Sequence, residues 1–312
     1  MKQLYELVGI TKQGHLASTQ RQVQQSDKFQ LLSAVLKTER EKHPAMSLKK
    51  LYVKLKPGFA GRDAFIDFGM KQGFEPCLKA KFHKTTHSAG AEAYANLLND
   101  LIVYDINRLW VSDITYFKIG NAWFYIVLIE DVYSRKILGW HASDRMFATA
   151  NLKAFQLALQ NRACPETSGG IPQFHHSLIH HSDKGSQYRS FEYTDKLKEH
   201  GLLISMGNCC YDNAFMESAN GILKNEYLKH RSIHNGNDLR KYLAQDIHLY
   251  NYERPHGSLN MMTPDEFERY ICNIPLEKRT GLPTYTDKTR QNKLLLVKPD
   301  NQQLKLQLPG FR

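Results

Sequence analysis

The sequence predicts an α/β fold, a mixed five-stranded sheet with flanking helices, preceded by a small all-α region. Two observations support this prediction. Five short segments rich in apolar, aromatic and β-branched residues lie between residues 109 and 206, with turn residues around them. Segments with a helical pattern and capping residues at their starts lie before, between and after these five.

The first three predicted strands form an antiparallel meander. Residues 109–117 are predicted as a strand with Asp113 near its centre, a turn at 119–121 follows, and further strands are predicted at 123–129 and 137–141. A carboxylate in the middle of an apolar strand costs desolvation energy unless it is paired or bound to a metal ion. Asp113 is therefore a candidate functional residue.

A second acidic residue, Asp183, follows the fourth predicted strand, at 177–181, and precedes a loop at 184–186. The carboxyl end of a strand in an α/β sheet is where ligands usually bind. A helix capped by its first residue, a serine, is predicted at 190–200, and the fifth strand at 203–206. The alternative for Asp183 is a structural loop cap.

A third acidic residue, Glu217, lies on a helix predicted at 214–228. At about 100° per residue, Glu217 shares one face of this helix with Asn220 and Lys224, and that face suits metal and phosphate. Glu226 points the opposite way, and we expect it to reach solvent near the helix end. Glu217 is therefore the predicted ligand, and an ordinary surface charge is the alternative.

Together, residues 110–116, 180–188 and 211–217 resemble the segments that carry the Asp-Asp-Glu triad of DNA transposases and retroviral integrases. The match is closest to bacterial insertion-sequence transposases with an integrase-type core. It covers roughly residues 104–270, and the N-terminal third more loosely. The resemblance implies an RNase H-like catalytic domain over residues 104–270.

The resemblance also implies that Asp113, Asp183 and Glu217 are catalytic and bind two Mg²⁺ ions, for which Mn²⁺ substitutes, with Asp113 bridging both. Two such ions, about 3.5–4 Å apart, stabilise the attacking and leaving oxygens in phosphodiester chemistry. Mg²⁺ prefers hard oxygen ligands. The nucleophile would be water first and then the freed DNA 3′-hydroxyl.

The implied function is a DNA transposase that binds insertion-sequence ends and carries out strand cleavage and strand transfer. One departure from the family concerns the loop at 205–211, because 33 residues separate Asp183 from Glu217, two fewer than in the family pattern. A mobile loop can absorb such a change, but displacement of a catalytic helix lowers the rate. A catalytically inactive remnant that still binds DNA is therefore the alternative.

Composition agrees with a nucleic-acid partner, since the formal net charge is +11 and basic chains neutralise phosphates. No apolar run approaches the ~18 residues of a membrane helix, and the first residues lack a signal-peptide core. The five cysteines form no paired spacing, which predicts a reduced protein. We expect a bacterial cytoplasmic, nucleoid-associated protein that acts as a homo-oligomer on double-stranded DNA, both element ends and target.

Residues 1–92 are predicted to form a helical DNA-binding region and a linker. A helix at 2–8, a turn at Gly9 and a helix capped by Thr11 predict a helix-turn-helix unit, in which Lys12 would contact DNA. In the family that this chain resembles, the corresponding region binds the terminal repeats of the element.

A second helix-turn-helix unit is predicted after this. Ser26 is expected to cap a separate helix over residues 26–41, and helices at 48–55 and 62–72 are separated by a proline and a glycine.

The remaining candidate DNA contacts lie around the predicted site. They are Lys184, in the loop after the fourth strand, Lys224, and Arg254 and His256, in a segment at 250–257 that is distinctive of these transposases. Arg254 and His256 could instead brace the fold, and the sequence leaves both roles open.

Two further segments complete the predictions. Asp131 lies in a turn, which favours a structural role over a ligand role. Residues 276–312 are predicted as a basic C-terminal tail with a hairpin over 293–308, whose role in binding DNA or a second subunit stays open.

Overall fold

The computed structural model of the chain describes residues 11–76, 94–162, 178–207 and 213–284. The chain divides into two compact units, Met1–Lys79 and Ala80–Arg312. Helices and strands are numbered in chain order over the described residues. The first predicted helix, at 2–8, and the predicted C-terminal hairpin lie outside them.

The described residues of the first unit form three helices, α1 (Lys12–Lys42), α2 (Leu48–Leu55) and α3 (Arg62–Lys71). Thr11 caps α1 through a hydrogen bond from the Gly14 amide to its hydroxyl. The helices pack around a small apolar core of Leu32, Leu36, Met46, Leu48, Leu51 and Phe65. The two helices predicted at 48–55 and 62–72, which form the second predicted helix-turn-helix, are confirmed as α2 and α3.

The predicted start of a new helix at Ser26 is wrong, because α1 runs without a break through this position. A serine inside a helix costs only a few tenths of a kcal/mol relative to alanine. Its neighbours are mostly glutamine, lysine, leucine and alanine, which favour the helix and override the local capping signal.

The second unit is built on a mixed five-stranded sheet, which confirms the predicted fold class. The strands are β2 (Leu109–Ile119), β3 (Ala122–Asp131), β4 (Ile137–Ser143), β5 (Ile179–Ser182) and β6 (Leu203–Met206). They lie in the order β4-β3-β2-β5-β6, with β2, β3 and β4 antiparallel and β5 and β6 parallel to β2. A separate short pair joins β1 (Ile102–Val103) to β7 (Leu282–Pro283).

Helices cover both faces of this sheet. One face packs on α4 (Ala148–Arg162) and α5 (Phe191–Glu199), and the other on α6 (Ala214–Ile222), α7 (Gly236–Tyr252) and α8 (Pro264–Cys272). Successive side chains of a strand point to opposite faces, so Trp110 lies in the core under α4 and α5, and Val111 lies in the core under α6, α7 and α8. Val111 pairs with His181 in the parallel register, so the carboxyl end of β5 lies beside the middle of β2.

The predicted single helix over residues 214–228 is wrong in its second half. The α-helical part, α6, ends at Ile222, and a π-helical turn over Leu223–Tyr227 and a 3₁₀ turn over Leu228–His230 follow. Leu223, Tyr227 and Leu228 are all buried in one core, and the wider turn allows all three to reach it. Such turns occur frequently at functional sites.

No helix of the described residues combines the length and the apolar character that crossing a membrane would require.

Candidate active site

Asp113 lies in the middle of β2, on the sheet face that carries α6. Val111, two residues before it, is fully buried in the core under α6, and residues two apart on a strand share a face. The Asp113 side chain is half-buried at the edge of this core. The strand therefore presents a carboxylate where the apolar core meets solvent.

Asp183 directly follows β5, the parallel neighbour of β2. Val111 pairs with His181 in this register, so the next residues on the same face are Asp113 and Asp183. Neighbouring strands lie about 4.8 Å apart. The register therefore brings these two acids side by side at the carboxyl end of β5.

The loop after β5 holds Asp183 in a tight turn. The Gly185 amide donates a hydrogen bond to Asp183 Oδ1 over 2.9 Å. A Cβ atom at Gly185 would lie 2.9 Å from the same oxygen, so a larger residue at this position would displace the Asp183 carboxylate. Tyr188 Oη and Ser112 Oγ, 2.8 Å apart, share a buried hydrogen bond that ties the loop to β2.

Helix α6 and its N-cap residue are attached to β2 at Ser112 and at Asp113. Asn213 donates from Nδ2 to the Ser112 carbonyl oxygen over 2.9 Å, and Asn220 donates from Nδ2 to Asp113 Oδ2 over 2.8 Å. Glu217 lies between these two asparagines in the first turn of α6 and is exposed. Residues three apart on a helix share a face, so Glu217 and Asn220 both lie on the side that meets Asp113.

The electrostatics connect the predicted residues. Burial, and next the charge of Asp183, raise the pKa of Asp113, and Glu217 adds a smaller effect of the same sign; the resulting pKa is about 7. Lys224 opposes them, and burial lowers its own pKa to about 8 although the charge of Asp113 acts against this. The three acids and this lysine therefore lie within one electrostatic neighbourhood.

The donor set fits hard divalent cations. Three carboxylates meet here, repulsion between the first two is already visible in the pKa of Asp113, and a cation would relieve it. Asn220 Oδ1 is also buried without a hydrogen-bond partner in the described structure. The oxygens of the three acids do not all lie within 4.8 Å of one another in the described structure.

Glu226 does not reach solvent as predicted. It forms a bidentate ion pair with Arg254. Arg254 Nη2 lies 2.7 Å from Glu226 Oε1, and Arg254 Nε lies 2.8 Å from Glu226 Oε2. The two side chains are 19% and 3% exposed, respectively. The prediction failed because the π-helical turn changes the direction of residues beyond Leu223, so a constant 100° per residue does not apply.

Arg254 and His256 are both buried. Besides its ion pair, the Arg254 guanidinium lies over the Tyr250 ring at 5.9 Å from the centroid, and His256 packs edge-on against the same ring at 4.5 Å. Of the two roles that the sequence left open, these contacts support a bracing role for Arg254 and His256. Contact of either residue with DNA stays a prediction.

Asp131 has the structural role that its turn favours. It is fully buried and accepts hydrogen bonds from the amides of Asn107, Tyr133 and Ser134. Arg162 Nη2 lies 3.5 Å from its other side.

The other predicted DNA contacts are less defined by the structure. Lys184 is half-buried in the loop after Asp183. Lys12 is the first residue of α1, and its side chain lies outside the described part. The shortened loop before α6 falls mainly on residues 208–212, which also lie outside it.

Sequence reasoning missed the residues that hold the site together. Ser112, Tyr188, Asn213 and the hydrogen bond from Asn220 to Asp113 were not predicted. The signal for the last was present, because Asn220 shares the helical face of Glu217, but a helical face does not identify its partner on another element.

Comparison with known proteins agrees with this geometry. Two models described as "Integrase core domain" match residues 104–209 and 203–264. The "Insertion element IS600 uncharacterized 31 kDa protein" of Shigella sonnei is 37% identical over 199 residues, which are 62% of this chain and 69% of that protein. The "Transposase InsF for insertion sequence IS3A" of Escherichia coli K12 is 33% identical over 203 residues, 64% of this chain and 67% of that protein.

Among solved structures, the HTLV-2 integrase catalytic core domain in complex with magnesium matches with a TM-score of 0.41 and 16% identity, covering 55% of this chain and 99% of that one. The sequence relatives and the matched integrase core models decide the family. The chain belongs to the bacterial insertion-sequence transposases with an integrase-type core.

Proposed function

We propose that this chain is an active DNA transposase, which binds the ends of an insertion sequence and carries out metal-dependent strand cleavage and strand transfer. One observation supports this most strongly. The strand register and the hydrogen bond from Asn220 to Asp113 bring three acids on separate elements to one edge of the sheet. A structural role would not require three charges in one place.

Asp113, Asp183 and Glu217 would hold two Mg²⁺ ions. Bound there, such ions stabilise the attacking and leaving oxygens of a phosphodiester. The chain's own residues supply the positioning. Asn220 fixes the orientation of the Asp113 carboxylate, and the turn at Gly185 fixes that of Asp183.

Lys224 would contact a phosphate oxygen beside the acids. Its side chain is half-buried, and its pKa of about 8 leaves it mostly protonated at neutral pH. A cation in this partly desolvated setting stabilises negative charge on phosphate more strongly than one in water.

The partners that follow from this function are double-stranded DNA, as element ends and as target, and further copies of the chain assembled on it. The helical unit Met1–Lys79 would bind the terminal repeats. We place the protein in the bacterial cytoplasm, at the nucleoid. The rival is an inactive remnant that binds element ends without cutting them, and the shortened loop before α6 is the feature that favours it.

The test is incubation of the full chain with labelled element-end duplex and Mg²⁺ or Mn²⁺. We expect cleaved and strand-transfer products, and none with Asp113→Asn, Asp183→Asn or Glu217→Gln, while DNA binding stays close to wild type.

Glu192→Gln is the matched control, because Glu192 is an exposed acid of the same unit, on α5, away from the three acids. Binding without cleavage by the wild-type chain would identify the remnant. Cleavage that survives excess chelator would contradict the metal-dependent chemistry.

A further inference from the structure

A cavity of about 410 Å³ lies at the β4 edge of the sheet, between the starts of α4 and α7. Its lining includes four basic side chains and one acid, namely His141, Arg145, Lys153, Arg240 and Asp144. The volume is more than ten times the share of one water molecule in the liquid, about 30 Å³. A phosphate group with part of its sugar would therefore fit.

The cations of this cavity are only partly neutralised, because Asp144 is the one acid that the described structure places in its lining, against Arg145, Lys153 and Arg240. Arg145 and Lys153 are exposed and have no ion pair with an acid among the described residues. Arg240 donates to two neutral acceptors, Asn237 Oδ1 at 2.6 Å and the Ala142 carbonyl oxygen at 3.4 Å. Elsewhere in this unit, cations such as Lys136, Arg162 and Arg254 meet acids within 3 Å. Uncompensated positive charge around a cavity favours an anionic ligand.

His141 reports the same positive potential. Its pKa is lowered by burial first, and then by the charges of Lys153 and Arg240. A neutral imidazole beside these cations can donate one hydrogen bond to an anion.

The start of α4 adds to this field. The helix has 15 residues and no acid in its first turn, so the partial positive charge of its amino end is not offset there. Thr149, in this first turn, lines the cavity and offers a hydroxyl donor.

The cavity is separate from the three acids. His141 pairs with Val127, which pairs with Ile114. The His141 side chain therefore lies on the same face of the sheet as Ile114, opposite the face that carries Asp113. Two strand spacings, roughly 10 Å, separate β4 from β2. DNA whose reacting phosphate lay at Asp113 could reach this cavity by passing over the β4 edge.

We propose that this cavity binds a phosphate group of the DNA backbone, outside the catalytic site. That the ligand is DNA rests on the proposed function, whereas the preference for a phosphate follows from the excess of cations over acids around the cavity. The contact fixes the path of the duplex and carries no base specificity, because the lining offers charge and hydroxyl donors to phosphate oxygens.

The test is the salt dependence of binding of the full chain to a labelled element-end duplex. The slope of log affinity against log salt concentration is negative, and each phosphate contact adds about 0.9 to its magnitude. We expect Arg145→Gln/Lys153→Gln to reduce the magnitude of this slope by about 0.9. If the variant and the wild type bind equally at 1 M salt, the variant then binds roughly eightfold more weakly at 0.1 M salt. The control, Lys196→Gln/Lys198→Gln, removes two charges from α5, where both lysines pair with acids.

Thr149→Glu separates binding from folding. A carboxylate in the first turn of α4 stabilises the helix and also neutralises the cavity. We expect an unchanged or higher melting temperature together with weaker DNA binding. If the Arg145/Lys153 and Lys196/Lys198 double variants have equal slopes, the proposal is wrong.

A second arm separates DNA from small phosphate ligands. Inorganic phosphate is titrated at constant ionic strength while the melting temperatures of wild type and Arg145→Gln/Lys153→Gln are followed. Phosphate that stabilises wild type alone, with equal DNA slopes, would assign the cavity to a small ligand and overturn the DNA contact. Binding slopes do not depend on cleavage, so failure of the proposed chemistry would leave this result unchanged.

Discussion

The ion pair between Glu226 and Arg254 joins the π-helical turn after α6 to the segment that follows α7. We expect Glu226→Gln to destabilise the second unit strongly. The change leaves the Arg254 guanidinium, 3% exposed, without a negative partner. Arginine cannot release its proton in a protein, so the charge stays buried.

Removal of one partner of a buried pair costs about 3–5 kcal/mol. The reverse change, Arg254→Met, should cost less, because Glu226 is 19% exposed and can be hydrated. The double variant should cost less than the sum of the single variants, with a coupling of about 1–3 kcal/mol.

The assay is urea unfolding followed by tryptophan fluorescence. All three tryptophans, Trp110, Trp123 and Trp140, lie on the sheet of the second unit, so the signal reports that unit alone. Glu199→Gln is the control, because its pair with Lys196 is exposed on α5 and such pairs contribute about 1 kcal/mol at most.

Cleavage should fall with stability even at low temperature. The turn that carries Lys224 and Glu226 continues from the helix that carries Glu217, and small displacements of catalytic groups can cost about 100-fold. Glu226→Gln within about 0.5 kcal/mol of wild type and fully active would refute this reasoning.

Three further predictions concern other parts of the chain. Glu130 is fully buried, and Arg135 Nη1 lies 3.6 Å from its carboxylate. Burial is the largest cause that raises the pKa of Glu130, to about 8. Between the two pKa values the folded state therefore keeps a proton that the unfolded state loses. The free energy of unfolding should fall as pH rises from about 4.5 to about 8, by at most about 1.4 kcal/mol per pH unit, and Glu130→Gln should flatten this fall in pH-dependent urea unfolding. Lys224→Glu should weaken element-end binding and lower strand transfer on the order of 100-fold, and a crosslinking survey that places Lys224 away from DNA would contradict this. A fragment of residues 1–92 should bind element ends with an affinity that falls steeply with salt, more weakly with Lys12→Gln; full end specificity in the catalytic unit alone would show that the assignment is wrong.

Local patterns predicted most of the helices and strands that the structure describes in the two units. The strand from Leu109, the caps at Thr11 and Ser190 and the strand over Leu203–Met206 all depend on neighbours in sequence. These signals are carried by periodicity and by single capping hydrogen bonds. They are therefore readable from one chain.

The features that sequence reasoning missed depend on contacts between distant segments. The π-helical turn is stabilised where Leu223 and Tyr227 meet the core and where Glu226 meets Arg254, 28 residues later. The Asn220 bond to Asp113 joins residues 107 apart. Helical periodicity describes a single element and contains no information on such partners.

The central claim, that Asp113, Asp183 and Glu217 form a divalent-metal site, is tested most directly by the effect of Mg²⁺ on stability at pH 8. Without metal, the raised pKa of Asp113 means that its ionisation at this pH opposes folding, by up to about 4 kcal/mol. Asp113→Asn should therefore raise the free energy of unfolding of the metal-free protein. Added Mg²⁺ should stabilise the wild type by mass action and leave Asp113→Asn unchanged. Equal stabilisation of both proteins by Mg²⁺ would contradict the assignment.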